Sequence, residues 1–253
     1  MAGSGRVSNS SEAMPSAGKA MAASGFFITG TDTGVGKTRV SIALMGWLRN
    51  RGLTVVGMKP VATGCGMADG RLRNEDALLL QESSSVQVPY ERVNPYAFEP
   101  GISPHIAARL TGRPIDLGAI VRQCRELQHL ADCVVVEGVG GWEAPLSERH
   151  KVSDLARALG LPVILVVGMR LGCLNHALLT YAALSRGEVE CAGWIANQPA
   201  ADFPFLEENI QTLTVELPVP CLGILPHSQS AEGWVKDSFA TGAGNEILRR
   251  LRV

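Results

Sequence analysis

Six short runs of apolar and β-branched residues, at 25–29, 54–58, 133–137, 162–167, 192–197 and 221–224, recur along the chain and predict strands. They are close to continuously apolar instead of alternating, the pattern of strands covered on both faces. Between them apolar positions return at helical spacing, predicting helices over 37–50, 75–81, 103–110, 117–130, 153–159, 174–185, 205–213 and 245–251. Strands that alternate with helices build βαβ units, so the expected fold is α/β: one domain with a mostly parallel sheet and helices on both faces. In such sheets ligands gather at the carboxyl ends of the strands, which are polar here.

The first run leads into Gly30-Thr31-Asp32-Thr33-Gly34-Val35-Gly36-Lys37-Thr38 and then into a helical pattern. That is the layout of a phosphate-binding loop, and it predicts a P-loop NTPase-like fold that handles a nucleoside triphosphate. Glycines let backbone N–H groups close around phosphate oxygens, Lys37 reaches the outer phosphates, and the Thr38 hydroxyl suits Mg²⁺. One departure stands out: the common pattern places its first glycine five positions before the second, where this chain has Thr31.

Other strand ends add candidates. Glu137 closes three valines and is followed by glycines, the place of the acid that positions Mg²⁺ in phosphate-loop enzymes. Asp76 opens a helix, where a carboxylate by itself reads as a cap or dipole partner. Lys59 ends the second strand before Pro60; on spacing alone it reads equally as a clamp on developing negative charge or as a snorkelling surface lysine. The stretch from Gly168 to His176 joins a strand to a helix and could turn backbone amides toward an anion, although a plain capped βα loop is the simpler reading. The five histidines show no spacing suited to a hydrolytic triad.

Composition narrows the partners. Among 253 residues, 46% are hydrophobic and 19% charged, with a net charge of −1, which suggests neither a basic nucleic-acid surface nor a disordered composition. The most apolar stretch, 161–169, falls well short of the ~20 residues needed to cross a bilayer. Six cysteines lack zinc or C-x-x-C spacing and read as reduced core or loop thiols of a cytoplasmic protein. Residues 1–25 hold sixteen Ala, Gly or Ser without the apolar core of a secretory signal. They are expected to be a disordered leader to a domain at 26–253, with Met14 and Met21 equally possible starts.

The motifs, taken together, resemble a known family. Gly30-Thr31-x-Thr33-x-Val35-Gly36-Lys37-Thr38, Lys59-Pro60-Val61-Ala62-Thr63-Gly64, Arg73-Asn74-x-Asp76-Ala77, Asn94-Pro95-Tyr96, Ser103-Pro104-His105, Val136-Glu137-Gly138-x-Gly140-Gly141-Trp142, Pro145-Leu146-Ser147, Leu171-Gly172-Cys173-x-Asn175-His176 and Gly193-Trp194-x-Ala196-Asn197 are similar to those of the dethiobiotin synthetases. That family's phosphate loop carries the same extra residue. The resemblance implies an ATP- and Mg²⁺-dependent ligase that converts 7,8-diaminononanoate and CO₂ to dethiobiotin through a carbamate and a carbamic-phosphoric anhydride.

It also assigns roles. Lys37 and Lys59 are implied as catalytic lysines, and Thr38, Asp76 and Glu137 as the Mg²⁺ set. ATP contacts are implied for Gly34, Val35, Gly36, Lys37, Thr38, Arg39, Asp76, Glu137, Gly138, Val139, Gly140, Asn197, Gln198, Pro226, His227 and Ser228. Thr33 and Thr63 are implied diamine contacts. Gly172, Cys173, Leu174 and Asn175 are implied to bind the substrate carboxylate across a homodimer interface. Some members carry glutamate where this chain has Gly34, and lysine is frequent at the Arg170 position. Two other readings stand beside this one: a related ATP-dependent amide ligase, and a partitioning or positioning ATPase, whose loop carries a second lysine where Asp32 stands here.

Overall fold

The computed structural model describes residues 25–187, 189–227 and 243–251. Its centre is a six-stranded, wholly parallel sheet in the order β10-β9-β8-β1-β7-β2. The strands are β1 (Gly25–Gly30), β2 (Val55–Met58), β7 (Cys133–Glu137), β8 (Val163–Gly168), β9 (Cys191–Asn197) and β10 (Cys221–Leu225). All six expected strands are present, each within a residue of its expected limits at either end. Every residue of β1, β2, β7 and β8 is buried, as continuous apolar runs require when helices cover both faces.

The longer helices are α1 (Lys37–Arg49), α2 (Glu75–Ser83), α4 (Pro104–Leu110), α5 (Leu117–Gln128), α6 (Val152–Leu159), α7 (Cys173–Arg186), α8 (Leu206–Glu216) and α9 (Ala243–Leu251). The one-turn helix α3 (Tyr90–Val93) and two small sheets were not anticipated. In one, β3 (Val61–Thr63) pairs in parallel with β6 (Tyr96–Phe98); in the other, β4 (Gly66–Ala68) pairs antiparallel with β5 (Arg71–Arg73). Three residues are too few to show a periodicity, which is why these strands escape sequence reading. Residues 1–24, most of the expected leader, lie outside the described residues. Among the described residues no helix is long and apolar enough to cross a membrane.

Candidate active site

Strand register builds the site. Ile28 of β1 lies beside Glu137 of β7, and Met58 of β2 beside Val136, so the residue after Met58, Lys59, emerges level with Glu137. The loop from Gly30 returns into α1, placing Lys37 and Thr38 in that helix's first turn. Gly36 (φ 90°) makes the turn in the left-handed region, which a side chain disfavours.

The charged centre is compact. Lys59 Nζ donates to Asp76 Oδ2 at 2.9 Å and to Glu137 Oε1 at 2.5 Å. Thr38 Oγ1 donates to the same Glu137 oxygen at 2.9 Å. Side-chain exposure is 0% for Glu137, 5% for Lys59 and 42% for Asp76, so the deepest carboxylate is the one with most donors. A buried charge must be compensated in this way. Burial alone would lower the Lys59 pKa, but Glu137 and Asp76 outweigh it and hold the ammonium charged. Burial likewise pushes Asp76 upward, and the Lys59 charge with the hydrogen bond from Lys59 more than reverses the effect. Lys37 is lowered to about 8, first by burial and then by repulsion from Lys59. Its Nζ folds back to the Asp32 carbonyl at 3.0 Å.

A cleft of about 520 Å³ opens over this centre. Thr33, Gly34, Gly36, Lys37, Thr38, Arg39, Lys59, Thr63, Asp76, Glu137, Val139 and Gly140 all line it, so most of the expected site residues are brought together. Ile42, Ala62, Asn74 and Leu79 join them without having been expected. Val35 and Gly138 stand behind the wall: Val35 is buried, and the Gly138 N–H donates to the Ile28 carbonyl at 2.9 Å.

Asn197 lies at the end of β9, buried beneath the loop. Its Nδ2 donates to the Val35 carbonyl at 2.8 Å, and its Oδ1 accepts from Arg39 at 3.3 Å. Arg39 also donates to the Pro226 carbonyl. The Gln198 N–H donates to the Leu225 carbonyl at 2.9 Å, so the ends of β9 and β10 are fastened together there. His227 is exposed, and Ser228 lies outside the described residues.

The Gly172, Cys173, Leu174 and Asn175 segment does not reach the cleft of its own chain. Cys173 is buried and its N–H donates to the Arg170 carbonyl at 2.9 Å, whereas Asn175 is exposed at the start of α7. Arg170 itself pairs with Asp32 at 2.5 Å, joining this segment's base to the phosphate loop.

Three supporting residues were missed. Ser41, fully buried, lies with its Oγ 3.1 Å from Glu137 Oε2 and 2.9 Å from the Lys37 carbonyl, both acceptors for its single proton. Its position four residues after Lys37, on the same helix face, was the available signal. Asn94 Nδ2 donates to the Lys59 carbonyl at 2.6 Å and its Oδ1 accepts from Tyr90 Oη at 3.0 Å. Tyr90 Oη in turn accepts the N–H of Asn74, the cap of α2, at 2.8 Å. Tyr90 and Asn94 therefore tie the backbone of Lys59 to the start of the helix that carries Asp76. No local sequence signal predicts so long-range a link.

The fold and this site define a P-loop NTPase-like protein of the α/β class. Solved structures agree on the fold alone: the MinC:MinD cell division complex of Aquifex aeolicus (TM-score 0.52, 16% identity, 90% of this chain and 93% of that one) and chloroplast FtsY from Physcomitrella patens (TM-score 0.52, 17% identity, 92% and 66%). A family model described as "AAA domain" matches residues 24–233. Similarity to curated proteins is far higher. The ATP-dependent dethiobiotin synthetase of Cellvibrio japonicus is 49% identical over 83% of this chain and 92% of its own length. Those of Xanthomonas oryzae pv. oryzae (50%; 82% and 92%) and Pseudomonas paraeruginosa (49%; 81% and 91%) match similarly. The chain belongs to the dethiobiotin synthetase family of ATP-dependent ligases.

Proposed function

We propose that the chain closes the ureido ring of dethiobiotin from 7,8-diaminononanoate, CO₂ and ATP in the cytoplasm. The observation that carries this reading is the Lys59 ammonium fixed between Asp76 and Glu137 beside a phosphate loop, in a chain of this family. One amine of the diamine, in its neutral form, first bonds to the carbon of CO₂ and loses a proton to give a carbamate. A carbamate oxygen then attacks the γ-phosphorus, the β–γ bridging P–O bond breaks, and ADP leaves. The second amine attacks the carbamate carbon of the anhydride, its C–O bond to phosphate breaks, and phosphate and a proton depart as the ring closes.

Little covalent work falls to the protein, so positioning and charge neutralisation carry the catalysis. Lys37 and the amides from Gly34 to Thr38 hold the phosphates. Thr33 and Thr63 border the cleft where the diamine would lie, and Lys59 faces the charge that builds on the transferring group. Arg39, Asn197, Pro226 and His227 would form the base end. The oxygen donors Thr38, Asp76 and Glu137 fit a hard divalent ion, and the ammonium already drawn to both carboxylates marks the spot as one that stabilises positive charge. Mg²⁺ held there would neutralise β- and γ-phosphate charge. Among the described residues no three His, Cys, Asp or Glu side chains form a metal cluster.

A second copy would complete the site. Leu171, 97% exposed in the turn before α7, and Leu179, 62% exposed one helical turn after exposed Asn175, are apolar surface that a homodimer partner would cover while offering Gly172 to Asn175 to the substrate carboxylate. Phosphate release with ATP, Mg²⁺ and bicarbonate tests the reading: release should depend on added diaminononanoate, and diamine-independent hydrolysis would refute it.

A further inference from the structure

The contact between Lys59 and both carboxylates carries a second consequence. Two carboxylates, Asp76 and Glu137, and two lysines, Lys37 and Lys59, meet at the floor of the cleft. The two lysines are not equivalent. Lys37 Nζ bonds the Asp32 carbonyl and neither carboxylate, whereas Lys59 Nζ holds one oxygen of each. The Glu137 oxygen that Lys59 holds is also the one bonded by Thr38 Oγ1, so the ammonium sits at the focus of the whole oxygen set. Its backbone cannot drift away to make room, being fixed by the Lys59 N–H to the Val93 carbonyl at 2.8 Å and by Asn94 at its own carbonyl. Only the flexible side chain beyond it can move, and the cleft bordered by Thr33, Gly36 and Lys37 is the open direction.

We infer that Lys59 gates metal entry: its ammonium and a divalent ion compete for Asp76 and Glu137, so the site takes up Mg²⁺ only when phosphate oxygens arrive to receive the lysine. The inference rests on the reading of Thr38, Asp76 and Glu137 as the metal-holding set. Two cations cannot share those oxygens without strong repulsion, and phosphate supplies an alternative partner of the right charge. Lys59 thereby couples nucleotide binding to metal binding, and changes partner from carboxylate to the group undergoing transfer as it does so. Free Mg²⁺ binds poorly, and a metal-loaded site lacking nucleotide is avoided.

Calorimetric titration of the full chain with MgCl₂ alone tests this. Lys59→Gln should bind Mg²⁺ roughly tenfold or more tighter than the unmodified chain, and Lys37→Gln, which removes a nearby cation that touches neither carboxylate, distinctly less so. Equal or weaker Mg²⁺ binding by Lys59→Gln overturns the inference, as does an equal gain in both variants. Should Lys59→Gln not fold, a crystal structure of the unmodified chain with Mg²⁺ and a non-hydrolysable ATP analogue decides. Lys59 Nζ is expected beyond hydrogen-bond reach of Glu137 and on a phosphate oxygen; a retained Lys59–Glu137 bond beside bound metal would count against it. Neither assay contains the diamine, so failure here is distinct from failure of the ring-closing reading, which the ureido product judges.

Discussion

Two glycines of the phosphate loop allow a controlled perturbation. Gly34 and Gly36 both sit in the left-handed region, at φ 72° and 90°. Alanine at either position costs about 1–2 kcal/mol of backbone strain. Only at Gly36 does a Cβ meet anything: it would stand 2.1 Å from Asn197 Nδ2, whereas at Gly34 nothing lies within 4 Å. Asn197 is 1% exposed, and swinging its amide away breaks the 2.8 Å bond to the Val35 carbonyl and disturbs its contact with Arg39. An unpaired buried acceptor adds about 1–3 kcal/mol. Gly36→Ala should therefore be about 1–3 kcal/mol less stable than Gly34→Ala, a gap of about 2–12 °C in Tm for a chain of this size. Paired thermal melts measure the gap, and a nucleotide titration should show affinity falling far more in Gly36→Ala. Equal melting points and equal nucleotide affinity would refute the claim that Asn197 braces the loop.

Further predictions concern the charged centre and the thiols. Lys59→Gln should lower kcat at least a hundredfold with ATP affinity little changed, read by steady-state kinetics beside equilibrium nucleotide binding. Tyr90→Phe should cost about 1–2 kcal/mol in chemical denaturation and lower kcat more than KM for ATP, since it loosens Lys59 from the cap of α2. Burial pushes the Cys124 thiol to about 12 and Cys191 to about 11. Their thiolates are thus scarce below those values, and alkylation of these two in the folded chain should stay slow from pH 7 to 9.5. Mass mapping of labelled sites checks this, with unfolded protein reacting readily as the positive control.

Most of the main sheet was legible because strands buried on both faces leave continuous apolar runs, and the loop after β1 was legible because phosphate binding demands glycines beside a lysine and a hydroxyl. Glu137 was legible too, as a carboxylate at a strand end beside glycines, whereas Asp76 and the second lysine were not. Asp76 at a helix start reads as a cap, yet Asn74 fills that role through the Ala77 N–H, which leaves Asp76 for Lys59. Lys59 was ambiguous until register set it level with Glu137. Ser41 shares a helix face with Lys37, the one local hint to its role, whereas Asn94 and Tyr90 act through tertiary hydrogen bonds that their spacing does not announce.

The central claim is that this cleft joins carbon dioxide to a diamine at the expense of ATP. Incubation with ¹³C-bicarbonate, 7,8-diaminononanoate, ATP and Mg²⁺, followed by mass spectrometry and ADP assay, tests it most directly. One labelled ureido carbon per product and one ADP per ring are expected. ADP without labelled ureido product, or product without ADP, would contradict the account.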